Sequence, residues 1–126
     1  VTAIRWRDVD AALRWRLRQG TLLNGCGAKG HWLDPPDWLF TASCDHHDFN
    51  YLLGGTEADR AKADGQFYSA MLEDAAKAPW WKRAWYRAMA WTYYRAVRRW
   101  GAKFFHPAAE PRSREDLEAL LRDAGV

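Results

Sequence analysis

Two glycines constrain this chain more than any other feature. Gly54-Gly55 separates the run ending in Leu52-Leu53 from Thr56-Glu57-Ala58-Asp59, which has the pattern of a capping box with Asp in place of the usual Glu. A glycine stop followed at once by a helix start predicts a helical hairpin. The first helix runs from about Asp37 or Thr41 to Leu53, and the second from Thr56 to about Lys77. So short a link makes the helices antiparallel neighbours and lets Asp64 approach His47 from the facing helix.

The first of these helices has an unusual face. Cys44, His47, Asp48 and Tyr51 recur at i, i+3, i+4 and i+7 and so share one side of the helix. A thiol, an imidazole, a carboxylate and a phenol stand where a helix normally shows Leu or Val. His46 is off this face and no further ligand has zinc spacing, so zinc is not expected. Asp45 and His46 are expected to be exposed, and His31 and His106 to be bystanders.

The remaining elements also read as helices. Val9, Leu13 and Leu17 form an apolar stripe over Asp8–Arg18, with Asp8 or Asp10 as cap and Gly20 as stop. A loop from Thr21 to about Asp37 follows, containing Asn24-Gly25-Cys26-Gly27-Ala28-Lys29-Gly30; loops of this length in a small domain are usually functional. A fourth helix is predicted from Pro79 to about Phe105, with Met89, Tyr93, Val97, Trp100 and Phe104 at core spacing. Ser113-Arg114-Glu115-Asp116 opens a last helix, which is expected to pack through Leu117, Leu120 and Leu121 as an appendage over 107–126. No strand pattern is present, so the fold class is all-α. With 126 residues, the chain is expected to form a single domain over 1–126.

Charge and composition narrow the function. The net charge is only +3, but Arg5, Arg7, Arg14, Arg16 and Arg18 crowd the N-terminal stretch, and a second basic group decorates the fourth helix. Nine tryptophans accompany them. Most are expected to fill the core, and the combination of Trp with Arg fits contact with an anionic phospholipid surface. Trp6 and Trp15, or Trp80 and Trp81, are the candidate anchors. No nucleic-acid recognition motif is present, so no nucleic-acid partner is expected, and a monomer is. No apolar run reaches the roughly 20 residues that span a bilayer. The two cysteines, Cys26 and Cys44, read as a disulfide in a secreted or otherwise extracytoplasmic protein, with two unrelated buried thiols as the alternative. Such a bridge would close a loop of roughly 17 residues, worth about 3 kcal/mol. Because the chain opens at Val1 rather than Met, a processed form is expected.

His47 beside Asp48 places a base next to a ligand for a hard cation. Asp48 offers a carboxylate, and Asn24 with the carbonyls of Gly25 and Gly27 offers further oxygens of the kind calcium prefers. Asp64 can accept a ring N–H of His47 and stabilise its protonated form. A base that activates water beside a cation that polarises a carbonyl points to ester hydrolysis.

Cys44-x-x-His47-Asp48-Phe49-x-Tyr51, with Cys26 upstream in a glycine-rich loop, resembles the secreted calcium-dependent phospholipases A2 and above all their bacterial branch. Ala90–Val97 also resembles that branch's late helix, and the likeness runs from about Asn24 to Trp100. The resemblance implies hydrolysis of the sn-2 ester of a glycerophospholipid, with His47 as the base, Asp64 orienting it and Tyr51 supporting the pair. It further implies Ca2+ held by Asp48 and the Gly25 carbonyl, with the ion and the Gly27 amide stabilising the oxyanion. Asn24 departs from the branch, which tends to offer a carboxylate there; a neutral ligand should weaken calcium binding. That departure supports the alternative, a catalytically inactive phospholipase A2-like module that binds membranes or a partner.

Overall fold

The computed structural model describes residues 4–20, 22–23 and 40–126. Their regular structure is helical: α1 Ala11–Gln19, α2 Thr41–Leu53, α3 Glu57–Ala76, α4 Trp80–Trp100 and α5 Arg114–Asp123, with short 3-10 turns at Trp6–Asp8 and Gly101–Phe104. The all-α expectation holds for these residues; Gly55 and Pro107 form an isolated β-bridge. Asn24, Gly25, Cys26, Gly27 and His31 lie outside the described residues.

Local chemistry accounts for most helix ends. Asp10, not Asp8, caps α1, its Oδ1 accepting from the Leu13 amide at 2.8 Å. Thr56 and Asp59 form a reciprocal capping box at α3, as do Ser113 and Asp116 at α5. Phe40 enters α2 with φ 57°, a left-handed conformation unusual for a bulky side chain. Its ring is held edge-on against Tyr86 and Tyr93 of α4, with centroids at 6.1 and 6.2 Å.

The hairpin link is tighter than its sequence suggests. Gly54 has φ 72°, and a Cβ there would lie 2.1 Å from the His106 carbonyl oxygen. The Gly55 amide donates to that same oxygen at 3.0 Å, and the Ala108 amide donates to the Gly55 carbonyl. The glycines therefore admit the 106–108 segment as well as turning the chain.

Two cores flank the hairpin. In one, Leu13 and Leu17 of α1 meet Phe49 and Leu53 of α2 and Leu117 and Leu121 of α5. The last helix packs through its leucines, as expected: Leu117 and Leu121 are completely buried and Leu120 lies against the same core. In the other, Phe40 and Cys44 pack with Phe67 and Met71 of α3 and Ala90 and Tyr93 of α4.

Three expectations change. The α-helical turn of α4 ends at Trp100, and the 3-10 turn that follows advances about 120° per residue rather than 100°. Phe105 is consequently buried against Tyr51, while Trp100 and Phe104 stay 44% and 46% exposed. Among the described residues no tryptophan is fully buried; the buried side of α4 is formed by Ala90, Tyr93 and Ala96 instead. Asp45 and His46 are half-buried rather than exposed; Arg18 pairs with Asp45 at 2.6 Å, and Trp6 stacks on His46.

Candidate active site

The polar face of α2 points into the protein. Cys44, His47 and Tyr51 are buried, and Asp48 is half-buried beside them. Cys44 is not a free thiol, and Cys26, the other cysteine of the chain, lies outside the described residues.

The antiparallel packing of α2 on α3 brings Asp64, with no exposed surface, to His47. His47 Nε2 lies 2.8 Å from Asp64 Oδ1, and the Tyr51 hydroxyl donates to the same oxygen at 2.6 Å. The imidazole is stacked on Phe67 at 4.4 Å and flanked by the Tyr51 ring at 4.2 Å. Ring position and hydrogen bond together fix its orientation.

The other oxygen of Asp64 faces cations. Arg98 of α4 donates to Oδ2 through Nη1 at 2.8 Å, and Arg60 Nη1 is 3.5 Å away. Arg60 is itself clamped by both oxygens of Glu57 and by the Val97 carbonyl, and Arg98 also reaches Glu57 at 3.1 Å. Four groups thus converge on one buried carboxylate, and no buried side-chain polar atom among the described residues lacks a partner.

These contacts set the charge states. Burial alone would raise the Asp64 carboxyl, but hydrogen bonds from His47, Tyr51 and Arg98 outweigh it and hold the group below the usual carboxylate range. An ionised Asp64 can only accept, so the Nε2 proton of His47 is the donor and Nδ1 is the lone-pair nitrogen. Burial and the nearby Arg60 charge lower the His47 pKa from its ordinary 6.5, against the opposing pull of Asp64. Burial and Asp64 push the Tyr51 phenol upward, keeping it a proton donor.

The chemistry available is that of an oriented neutral imidazole backed by a carboxylate, with a second carboxylate, Asp48, next to it in sequence. The donor type of Asp48 fits a hard cation. Among the described residues no cluster of three or more His, Cys, Asp or Glu able to hold a metal is present.

Sequence reasoning brought together His47, Asp64 and Tyr51 but missed Glu57, Arg60, Arg98 and Gly101. Glu57, Arg60 and Asp64 at i, i+3 and i+7 are a legible helix-face signal; Arg98 carries none, since it comes from another helix. Gly101 matters through close approach: a Cβ there would lie 2.6 Å from the Tyr51 hydroxyl oxygen.

The family model for prokaryotic phospholipase A2 matches residues 12–101, from α1 through the end of α4. No curated protein and no solved structure matches the chain. The match takes in both helices of the His47–Asp64 hairpin and the helix that delivers Arg98, and covers well over half the sequence. The chain belongs to the prokaryotic phospholipase A2 family.

Proposed function

We propose that the protein is a calcium-dependent phospholipase A2 that cleaves the sn-2 ester of glycerophospholipids to a fatty acid and a lysophospholipid. The observation that carries this reading is the buried His47–Asp64 pair at 2.8 Å within a scaffold of this family. His47 Nδ1 takes a proton from water, whose oxygen attacks the ester carbonyl carbon. Asp64 stabilises the resulting imidazolium, and Tyr51 and Arg98 hold Asp64 in place and ionised. The imidazolium then returns the proton to the departing glycerol oxygen as the carbon–oxygen bond breaks.

Asp48 would hold Ca2+ together with Asn24 and the carbonyls of Gly25 and Gly27, all oxygen donors suited to that ion. When bound, the ion supplies positive charge for the oxyanion, with the Gly27 amide as a second donor. A Cys26–Cys44 disulfide would anchor that loop to α2; the burial of Cys44 and its lack of a free thiol support this. The bridge favours a secreted or extracytoplasmic location. The protein acts as a monomer at an anionic phospholipid surface, without nucleic acid. No described helix is long and apolar enough to cross a membrane, as suits a protein that reaches lipid from the aqueous side.

The test uses a phospholipid labelled differently at sn-1 and sn-2, incubated with calcium and then with excess chelator. Release from sn-2 that disappears with chelator is expected. Release from sn-1, or release that survives chelation, contradicts the reading. No release under either condition favours the inactive binding module, and Asn24→Asp then tests whether a weak calcium site is the cause.

A further inference from the structure

We infer that the outward face of α4, anchored by Trp81 and Trp85, is the surface that docks on anionic phospholipid. This inference rests on the lipid-hydrolase reading and assigns the membrane-facing side of that enzyme. Trp81, Trp85, Ala88, Thr92, Arg95 and Arg99 follow one another at alternating steps of four and three, and all are exposed. From Trp81 to Arg99 the stripe extends for about 27 Å, given the rise per residue of an α-helix. Trp81 is 63% exposed and Trp85 49%, and Trp80, at the head of the helix, is 80% exposed. The opposite side of α4, through Ala90, Tyr93 and Ala96, is the one buried in the fold. The Thr92 hydroxyl already donates to the Ala88 carbonyl at 2.8 Å, so facing a lipid boundary leaves it satisfied.

Charge identifies the occupant. Helix α4 and the 3-10 turn after it contain seven Lys and Arg and no Asp or Glu, while the whole chain is only +3. The remainder is therefore net acidic, and positive charge is concentrated on this element. Arg98 alone turns inward, to Asp64 and Glu57. Among the described residues Lys82, Arg83, Arg87, Arg95, Arg99 and Lys103 have no carboxylate partner. Lys82 lies over the Trp81 ring at 4.7 Å and Arg95 over Trp91 at 5.6 Å, so cation and indole are presented together. That pairing matches a boundary where phosphate headgroups meet acyl chains.

The other candidate surface is already occupied by the protein itself. Trp6 packs on Phe49 beneath the Arg14 guanidinium at 4.1 Å. Arg16 pairs with Glu118, Arg18 with Asp45 and Arg5 with Asp8. The arginines of the N-terminal region thus include three neutralised by the fold, and Trp15 is its one exposed indole.

The test compares wild type, Trp81→Ala/Trp85→Ala and Trp15→Ala on vesicles of phosphatidylcholine with and without phosphatidylglycerol. Partitioning is read by sedimentation and tryptophan emission, and hydrolysis is measured on vesicles and on a short-chain phospholipid below its micelle-forming concentration. The double variant is expected to lose at least about tenfold in partitioning and in vesicle hydrolysis while its monomer hydrolysis is unchanged; Trp15→Ala changes none of these. Wild-type partitioning by the double variant overturns the inference, as does equal loss on monomers and vesicles, or wild-type preference for duplex DNA or polyglutamate over anionic vesicles. Partitioning needs no turnover, so a wild type that partitions through Trp81 and Trp85 but cleaves nothing upholds the docking face and rejects the hydrolase reading.

Discussion

Asp64 is shared by two kinds of neighbour, and the division decides what His47 does. One oxygen serves the imidazole and the Tyr51 phenol, while the other faces Arg98 and Arg60. Burial alone would favour the neutral form of Asp64, but the hydrogen bonds from His47 and Tyr51, with that from Arg98, keep it ionised. Burial, with the nearby Arg60 charge, lowers the imidazole's pKa from 6.5 against the pull of Asp64. The acid limb of a kcat/KM–pH profile should therefore fall at a pH below 6.5; a limb above that value contradicts the charge assignment. Stability follows the same sign. Below 6.5 the unfolded chain binds a proton at this position before the folded one does, so the His47 contribution is present above 6.5 and lost as pH falls through the folded value. Asp64, depressed from 3.8, loses its contribution only below that pH. His47 and Asp64 were legible in the sequence because the glycine link fixes which helices face each other. Arg98 was not: it lies 34 positions from Asp64, and an arginine on a basic helix reads by default as solvated.

At the level of elements, the sequence spoke clearly wherever a local rule decides the conformation. The capping boxes at Thr56 and Ser113 and the stop at Gly54 are of this kind. It spoke less clearly where packing decides. The switch from α-helix to 3-10 turn after Trp100 depends on what Phe105 meets, and that partner, Tyr51, belongs to α2. The tryptophan count suggested a filled core, yet alanines line the inner side of α4 and the indoles of this helix remain outside. Gly54 joins both kinds of information, since its positive φ is a local demand and the His106 carbonyl a tertiary one. Gly54→Ala should cost about 1–3 kcal/mol from backbone strain alone. Chemical denaturation checks this, and a wild-type midpoint would show that the link is not constrained as described.

Across the whole molecule, the site is a hairpin held from both sides. The core of Phe67, Met71, Ala90 and Tyr93 fixes α3 against α4 and so sets the reach of Arg98. On the other side, α5 closes the leucine core under α1 and α2, although it lies beyond the residues matched by the family. Leu117→Ala should therefore destabilise the protein by about 2–5 kcal/mol. A thermal or denaturant shift of less than about 0.5 kcal/mol, typical of surface changes, would show that α5 contributes little to this core.

In the proposed mechanism His47 acts as a base in a site whose shape and calcium affinity do not depend on it. His47→Gln, compared with wild type for sn-2 release, calorimetric calcium binding and circular dichroism, tests this most directly. Turnover lower by about 100-fold or more is expected, with calcium affinity and helical signal retained. Wild-type turnover in a variant that folds and binds calcium would contradict it.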